Sequence, residues 1–224
     1  VWPIGQPAGR LYDTAMVSRS RWLELADRGV LWADPCGSVH AVYEADEREV
    51  IEEYAATGGV ACEFIPPAAA VERFPAVNPD RLQGALYSPT ELCVDPRQAI
   101  AAIPTYLHQA FGVALRYGQA VTAVEAGRVR TAGGEEWAAD RVFVCSGTDF
   151  ETLFPNEVAA AGIRRCKLQM MRTAAQPGGW RLGPHVAGGL TLGHYKAFEQ
   201  CRMLPAVRRR HTEQFPEYQK FGIH

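Results

Sequence analysis

Four cationic side chains lie close together in the last third of the chain: Arg164, Arg165, Lys167 and Arg172. The surrounding pattern predicts a strand over Arg165–Thr173, in which Lys167, Gln169 and Met171 share one face and Arg172 lies on the other. If Lys167 faces inward, it can bind an anionic group of a substrate through a charge-assisted hydrogen bond. Cations that face water at the end of a strand explain the same residues, so both interpretations stay open.

His194 and Tyr195 are adjacent and follow a glycine-rich segment. A histidine–tyrosine pair can supply hydrogen bonds and a group that titrates near neutral pH, which suits the binding of a small polar substrate. The alternative is an ordinary pair in a surface loop or in the core. The segment Gly188–Gly193 has the wrong glycine spacing for a phosphate loop, and we interpret it as a glycine-rich turn of a sheet.

The sequence lacks a complete catalytic set. It contains no G-x-G-x-x-G, G-x-S-x-G, Walker or H-E-x-x-H motif. Its six histidines and six cysteines are scattered without the spacing of metal ligands, so no metal site is predicted. The basic run Arg208–His211 is short and is followed by glutamates, which is typical of a solvated helix face.

Hydrophobic periodicity and breaks at glycine and proline predict the elements that position these residues. Asp95 and Pro96 are suited to the N-cap and first position of a long helix. Helices are predicted over 11–28, 46–57, 67–74, 96–110, 149–154 and 205–215. Strands are predicted over 30–32, 38–44, 61–65, 82–87 and 113–117, followed by a meander over 121–125, 128–131 and 136–138 and a buried strand, including Cys145, over 141–145.

Composition narrows the class of protein. The 224 residues are 47% hydrophobic and 21% charged, which is ordinary for a globular chain. A net charge of −2 gives no reason to expect nucleic acid or an anionic membrane as partner. No apolar run reaches the roughly 18 residues of a membrane span. The isolated cysteines favour a reduced, cytoplasmic protein, and the first residue, Val1, leads us to expect an internal portion of a longer chain.

Several longer strings carry a resemblance to a known family. Gly84–Pro89, Val94–Pro96, Ala120–Glu125 and Val142–Gly147 resemble the FAD-dependent oxidoreductases that include D-amino acid oxidase, glycine oxidase and sarcosine oxidase. More narrowly, Pro3–Pro7, Ser88–Pro96, Lys167–Arg172 and Gly188–Leu192 resemble a bacterial subfamily associated with aminophosphonate breakdown.

The resemblance implies a mixed α/β fold in two parts. Residues 1–29 and 78–155 would form a partial FAD-binding, Rossmann-like domain with a β-meander, and residues 30–77 and 156–224 a substrate domain on a mixed or antiparallel sheet. That sheet would include Val30–Glu44, Arg165–Arg172 and Gly188–Tyr195. The family's glycine loop would precede Val1 and its last flavin-contacting segment would follow His224, so we expect this piece alone to be inactive.

The family pattern also implies cofactor-binding residues. Val121 matches the residue whose backbone meets the adenine of FAD, and Ser146 and Gly147 match the turn where a strand passes the cofactor. Small residues at the carboxyl end of a strand allow such a close approach.

The activity implied is FAD-dependent oxidation of a small amine or amino acid, with an anionic aminophosphonate as one substrate hypothesis. No catalytic residue is assigned; Lys167, His194 and Tyr195 are the candidate substrate-binding residues. The alternatives are a non-catalytic interaction module on the same scaffold and a flavin dehydrogenase that passes electrons to a partner.

Overall fold

The computed structural model describes residues 1–57, 59–165 and 167–221, and the chain forms two compact units. The larger unit comprises residues 1–107 together with the segment from 176 onward, and the smaller unit comprises residues 108–175. These limits differ from the predicted division at residues 29, 77 and 155. The assignment of particular segments to FAD and to substrate stays a prediction.

The long predicted helices are confirmed with small shifts at their ends. The side chain of Asp95 caps the helix that begins at Pro96, since its Oδ1 accepts the Arg97 N–H at 2.9 Å. The helices are α1 Arg10–Asp27, α2 Ala45–Ala56, α3 Pro67–Arg73, α4 Pro96–Phe111, α5 Pro155–Ala160, α6 Leu190–His194, α7 Leu204–Gln214 and α8 Pro216–Phe221.

The strands form three small sheets, and the mixed α/β fold class is confirmed. The strands are β1 Ala33–Asp34, β2 Ser38–Val42, β3 Glu63–Ile65, β4 Gly84–Ser88, β5 Cys93–Val94, β6 Val121–Glu125, β7 Arg128–Thr131, β8 Glu136–Ala138 and β9 His185–Ala187. In the larger unit the order β3-β4-β2-β9 is antiparallel except for the parallel pair β2–β9, and β1 pairs with β5. In the smaller unit β6-β7-β8 is the predicted meander.

The core of the larger unit lies on both faces of β2. Alternation places Val39 and Ala41 against the cluster that includes Ala70 of α3. The opposite face, with Val42, packs against α2 and α7. The apolar stripe that predicts α2 is the buried stripe of the structure: Val50, Ile51 and Tyr54.

Side-chain ion pairs hold helix α7 to the start of α2. The Arg210 guanidinium donates to both carboxylate oxygens of Asp46 at 2.9 and 2.8 Å and to Glu47 at 2.8 Å. The His211 Nε2 lies 3.2 Å from the same Glu47 carboxylate. The predicted solvated face is therefore correct for Arg208 and wrong for Arg210 and His211, which turn inward.

Several predicted elements are absent from the described part of the chain. Residues 113–117, 141–145 and 167–173 are irregular, and Cys145 is exposed rather than buried. An apolar run becomes a strand only beside another strand, and the sheet described in the smaller unit consists of β6, β7 and β8 alone. The helix predicted over 149–154 is replaced by bends before α5, and Gly188–Tyr195 contains α6 instead of a sheet strand.

Among the described residues, no helix has the length and apolar character of a membrane span. Cys36, Cys62, Cys93, Cys145 and Cys201 are free thiols.

Acid should destabilise the larger unit through His40. Its ring is fully buried, neither nitrogen has a partner among the described residues, and burial lowers its pKa from 6.5 to about 4. The unfolded chain therefore binds the extra proton below pH 6.5, while the folded chain resists it until about pH 4. The free energy of unfolding therefore falls as the pH drops. Between pH 7 and 4.5 this fall should be smaller in His40→Leu than in the wild type by about 2–3 kcal/mol.

Urea unfolding of both proteins at the two pH values measures this difference. The exposed His108→Gln is the control, and it should keep the wild-type pH dependence. An unchanged pH dependence in His40→Leu would contradict the buried, neutral imidazole.

Removing the cation of the α2–α7 ion cluster should also destabilise the fold. Arg210→Met leaves the Asp46 and Glu47 carboxylates, which are 18% and 6% exposed, without their cation. We expect a loss of about 2–3 kcal/mol, below the full cost for a completely buried pair because Arg210 keeps some contact with water. Arg21→Met, which breaks the exposed pair with Glu24, should cost less than about 1 kcal/mol in the same denaturation assay.

Candidate functional site

An apolar pocket of about 320 Å³ lies in the smaller unit. The β6 residues Val121 and Val124 both line it, although residues three apart in a regular strand point to opposite faces. A register shift between Val121 and Ala123 inserts the extra residue that brings them to one side. The remaining lining residues are Val129, Val142, Phe143, Val144, Cys145, Ser146 and Leu153.

Two of the three predicted cofactor residues, Val121 and Ser146, line this pocket together. The Ser146 carbonyl accepts the Asp149 N–H at 3.2 Å, which closes a turn around Gly147. Gly147 has φ +62°, a left-handed conformation that favours glycine. The lining contains no charged side chain, so the pocket suits the flat ring of a nucleotide or flavin and does not suit its phosphates.

The larger unit contains an aromatic cluster around Trp2. The indole lies 5.6 Å from the ring of His40 and 5.5 Å from that of His185, and it stacks on Tyr195 at 6.0 Å. His194 packs edge-on against Tyr195 at 4.9 Å. The predicted pair His194 and Tyr195 thus lies at the end of α6, with His194 exposed and Tyr195 half-buried.

The environment of Tyr195 keeps its phenol protonated. Burial raises the pKa of Tyr195 above its usual value, so the hydroxyl remains a hydrogen-bond donor across the physiological range. Close packing fixes the ring: a Cβ on Gly5 would lie 2.6 Å from the Tyr195 Cδ1 atom. Only glycine at position 5 permits this contact without displacement of the ring.

The backbone before α6 is also constrained. A Cβ on Gly189 would overlap the Glu47 carboxylate, which belongs to the ion cluster with Arg210. The glycine-rich segment therefore serves packing against α2, and the helix it precedes has five residues. This placement explains Gly189 without a phosphate ligand.

Glu91 is a buried polar residue that the sequence did not reveal. Its carboxylate is fully buried and accepts the Ile4 N–H at 2.9 Å and the Ser38 hydroxyl at 2.8 Å. The Thr90 hydroxyl donates to it at 3.1 Å. The sequence contains no signal for this burial, because two of the three residues that donate to the carboxylate, Ile4 and Ser38, come from distant parts of the chain.

Lys167 is exposed in irregular backbone of the smaller unit. The strand that would have set its direction is absent from the described residues, so the alternation argument no longer supports an inward side chain. Its role in binding a substrate stays a prediction. The described residues contain no group of three or more His, Cys, Asp or Glu side chains suited to a metal ion.

Comparison with known proteins gives a family match over most of the chain. The family described as "FAD dependent oxidoreductase" (DAO) matches residues 3–196. No curated protein sequence matches the chain.

Three solved structures share the fold. Glycine oxidase from Geobacillus kaustophilus is 21% identical with a TM-score of 0.56, over 71% of this chain and 45% of its own. L-proline dehydrogenase from P. horikoshii is 17% identical with a TM-score of 0.60, over 96% and 66%. Glycine oxidase from Bacillus cereus is 20% identical with a TM-score of 0.50, over 60% and 40%. The chain therefore spans less than two thirds of the length of each of these proteins.

Proposed function

The chain belongs to the family of FAD-dependent oxidoreductases, and from this premise we propose that it takes part in the oxidation of a small amine or amino acid. The observation that carries the proposal is that Val121 and Ser146, which match the family's cofactor-binding pattern, line one apolar pocket. The neighbours named glycine oxidase and L-proline dehydrogenase support an amino acid or a related amine as substrate, although their low identity establishes only the fold.

When bound, FAD would accept a hydride from the carbon that bears the substrate nitrogen, and water would then hydrolyse the imine product. The valines of the pocket would hold one ring of the cofactor and exclude water from it. Ser146 and Gly147 would let the backbone approach that ring closely, since neither carries a bulky side chain.

The substrate would be an anionic small amine, and an aminophosphonate is our specific proposal. Lys167 would bind the anionic end. The protonated phenol of Tyr195 would donate a hydrogen bond, and His194 would accept or donate another. No protein base is needed if the amine binds in its neutral form.

The electron acceptor distinguishes two versions of this function. An oxidase returns electrons to oxygen and forms peroxide, whereas a dehydrogenase passes them to a partner. The neighbour named L-proline dehydrogenase matches 96% of this chain, and this match supports the dehydrogenase as the alternative. Peroxide formation and dye reduction in parallel assays separate them.

FAD should protect Cys145 from alkylation. The Cys145 thiol is exposed and lines the pocket, whereas burial raises the pKa of Cys62 and of Cys201 to about 11, which keeps these two protonated. We expect rapid maleimide labelling of Cys145 at pH 8 without FAD, and labelling slowed about tenfold or more under saturating FAD. Peptide mass spectrometry assigns the label to each cysteine.

The matched control is Cys36, which lies in the larger unit and should label at the same rate with and without FAD. Val124→Glu should abolish the protection, because it places a charge in the apolar pocket. Equal labelling of Cys145 in both conditions would contradict cofactor binding at this pocket and favour a non-catalytic module.

The substrate proposal predicts activity on aminophosphonates. In the full-length protein, plain and N-methylated aminoethylphosphonate should be oxidised with a higher kcat/KM than glycine and sarcosine. Lys167→Met should raise KM for the phosphonates about tenfold, since a charge-assisted hydrogen bond to the anion is lost. Arg116→Met, which removes another exposed cation of the smaller unit, should leave KM unchanged. Activity confined to ordinary amino acids would contradict the phosphonate substrate.

A further inference from the structure

The burial of the Glu91 carboxylate in the larger unit is energetically unfavourable. It is fully buried, and its hydrogen-bond partners among the described residues are all neutral: the Ile4 N–H and the hydroxyls of Ser38 and Thr90. Moving a carboxylate out of water costs more than neutral hydrogen bonds usually return. Stability alone therefore explains Glu91 poorly.

The two carboxylate oxygens act on different elements. Oε1 accepts the Ile4 N–H in the 3₁₀ turn Pro3–Gly5, while Oε2 accepts the hydroxyl of Ser38 at the start of β2. The carbonyl of Ile4 also accepts the Tyr54 hydroxyl at 3.3 Å. Both backbone polar groups of Ile4 are thus bound, and the turn has little freedom to shift.

Both of these elements support Trp2. The turn follows Trp2 directly and places Gly5 against the Tyr195 ring. Ser38 is paired with His185 in the β2–β9 register, and the His185 ring lies 5.5 Å from the indole. One carboxylate therefore connects the two sides of the cluster that carries the Trp2–Tyr195 stack.

We propose that Glu91 is a positioning residue that holds the Pro3–Gly5 turn and β2 together and so sets the place of the Trp2 and Tyr195 rings. The proposal rests on the proposed function only where it treats Tyr195 as a substrate contact. Glu91 itself touches neither substrate nor cofactor in this arrangement, and it acts through the indole and the phenol.

Glu91→Gln tests the positioning directly. Glutamine has nearly the same volume but a single acceptor oxygen, so it cannot accept the Ile4 N–H and both hydroxyl protons. The fluorescence emission of Trp2 should shift to longer wavelength. The Trp2 indole should also become more accessible to acrylamide, so that acrylamide quenches its fluorescence more strongly. Since the chain has five tryptophans, the same substitution is made in Trp2→Phe, where the shift should vanish. Glu63→Gln, at an exposed ion pair, is the control without a shift.

The kinetic arm separates positioning from a general loss of stability. In the full-length protein, Glu91→Gln should raise KM for the amine about five- to tenfold, the usual effect of one lost hydrogen bond, with a smaller change in kcat. In a Tyr195→Ala background the same substitution should change KM no further, because Glu91 acts through that ring. An equal KM increase in both backgrounds, or an unchanged Trp2 emission, would overturn the proposal.

Ser38→Ala is a second variant that tests the proposal if Glu91→Gln fails to fold. It removes one of the hydrogen bonds and keeps the carboxylate, and it should shift the Trp2 emission in the same direction by a smaller amount. If Tyr195→Ala leaves KM unchanged, or no amine is oxidised, the substrate role of Tyr195 fails. The Trp2 emission then decides the role of Glu91 by itself.

Discussion

The burial of β2 on both faces is the constraint on which the larger unit depends. Every residue from Ser38 to Val42 is buried, and the strand is hydrogen-bonded to β4 on one edge and β9 on the other. A strand in this position requires a cover on each face, which α3 supplies on one side and α2 with α7 on the other. Segments that are far apart in the sequence must therefore meet, and β9 joins from almost 150 residues later.

The same burial means that the polar residues near β2 lose their contact with water, which costs free energy unless they find hydrogen-bond partners. His40 remains neutral inside the strand, since burial lowers its pKa to about 4 and neither ring nitrogen has a partner among the described residues. Ser38 escapes this cost by donating to Glu91. Polar groups retained in a core tend to specify one arrangement of their neighbours. The neighbours here are Trp2 and Phe198, which contact the His40 ring, and His185, which is paired with Ser38.

The sequence was informative wherever local chemistry determines structure. Asp95 and Pro96 mark the start of α4, the glycine turns mark the meander, and the apolar stripe of α2 is the buried one. Long-range pairing was not visible. The distant partners of Glu91 lie at positions 4 and 38, and those of Arg210 lie at positions 46 and 47. From sequence alone, a charged residue is predicted to face solvent, because its distant partner is not known.

In the smaller unit, an apolar pattern alone is not sufficient to form a strand. Val142, Val144 and Cys145 have the composition of a buried strand, yet they lie along the pocket without a ladder. A three-stranded meander with one apolar face has little core of its own, and such small sheets are stable only when that face is covered. Val121, Val124 and Val129 of the meander line the pocket on that face. A ligand that fills the pocket would then contribute to the stability of the unit itself, since any molecule that binds only the folded state shifts the folding equilibrium towards it. In this unit the apolar side chains that need a cover for folding are the same ones that we propose to hold a ring of the cofactor.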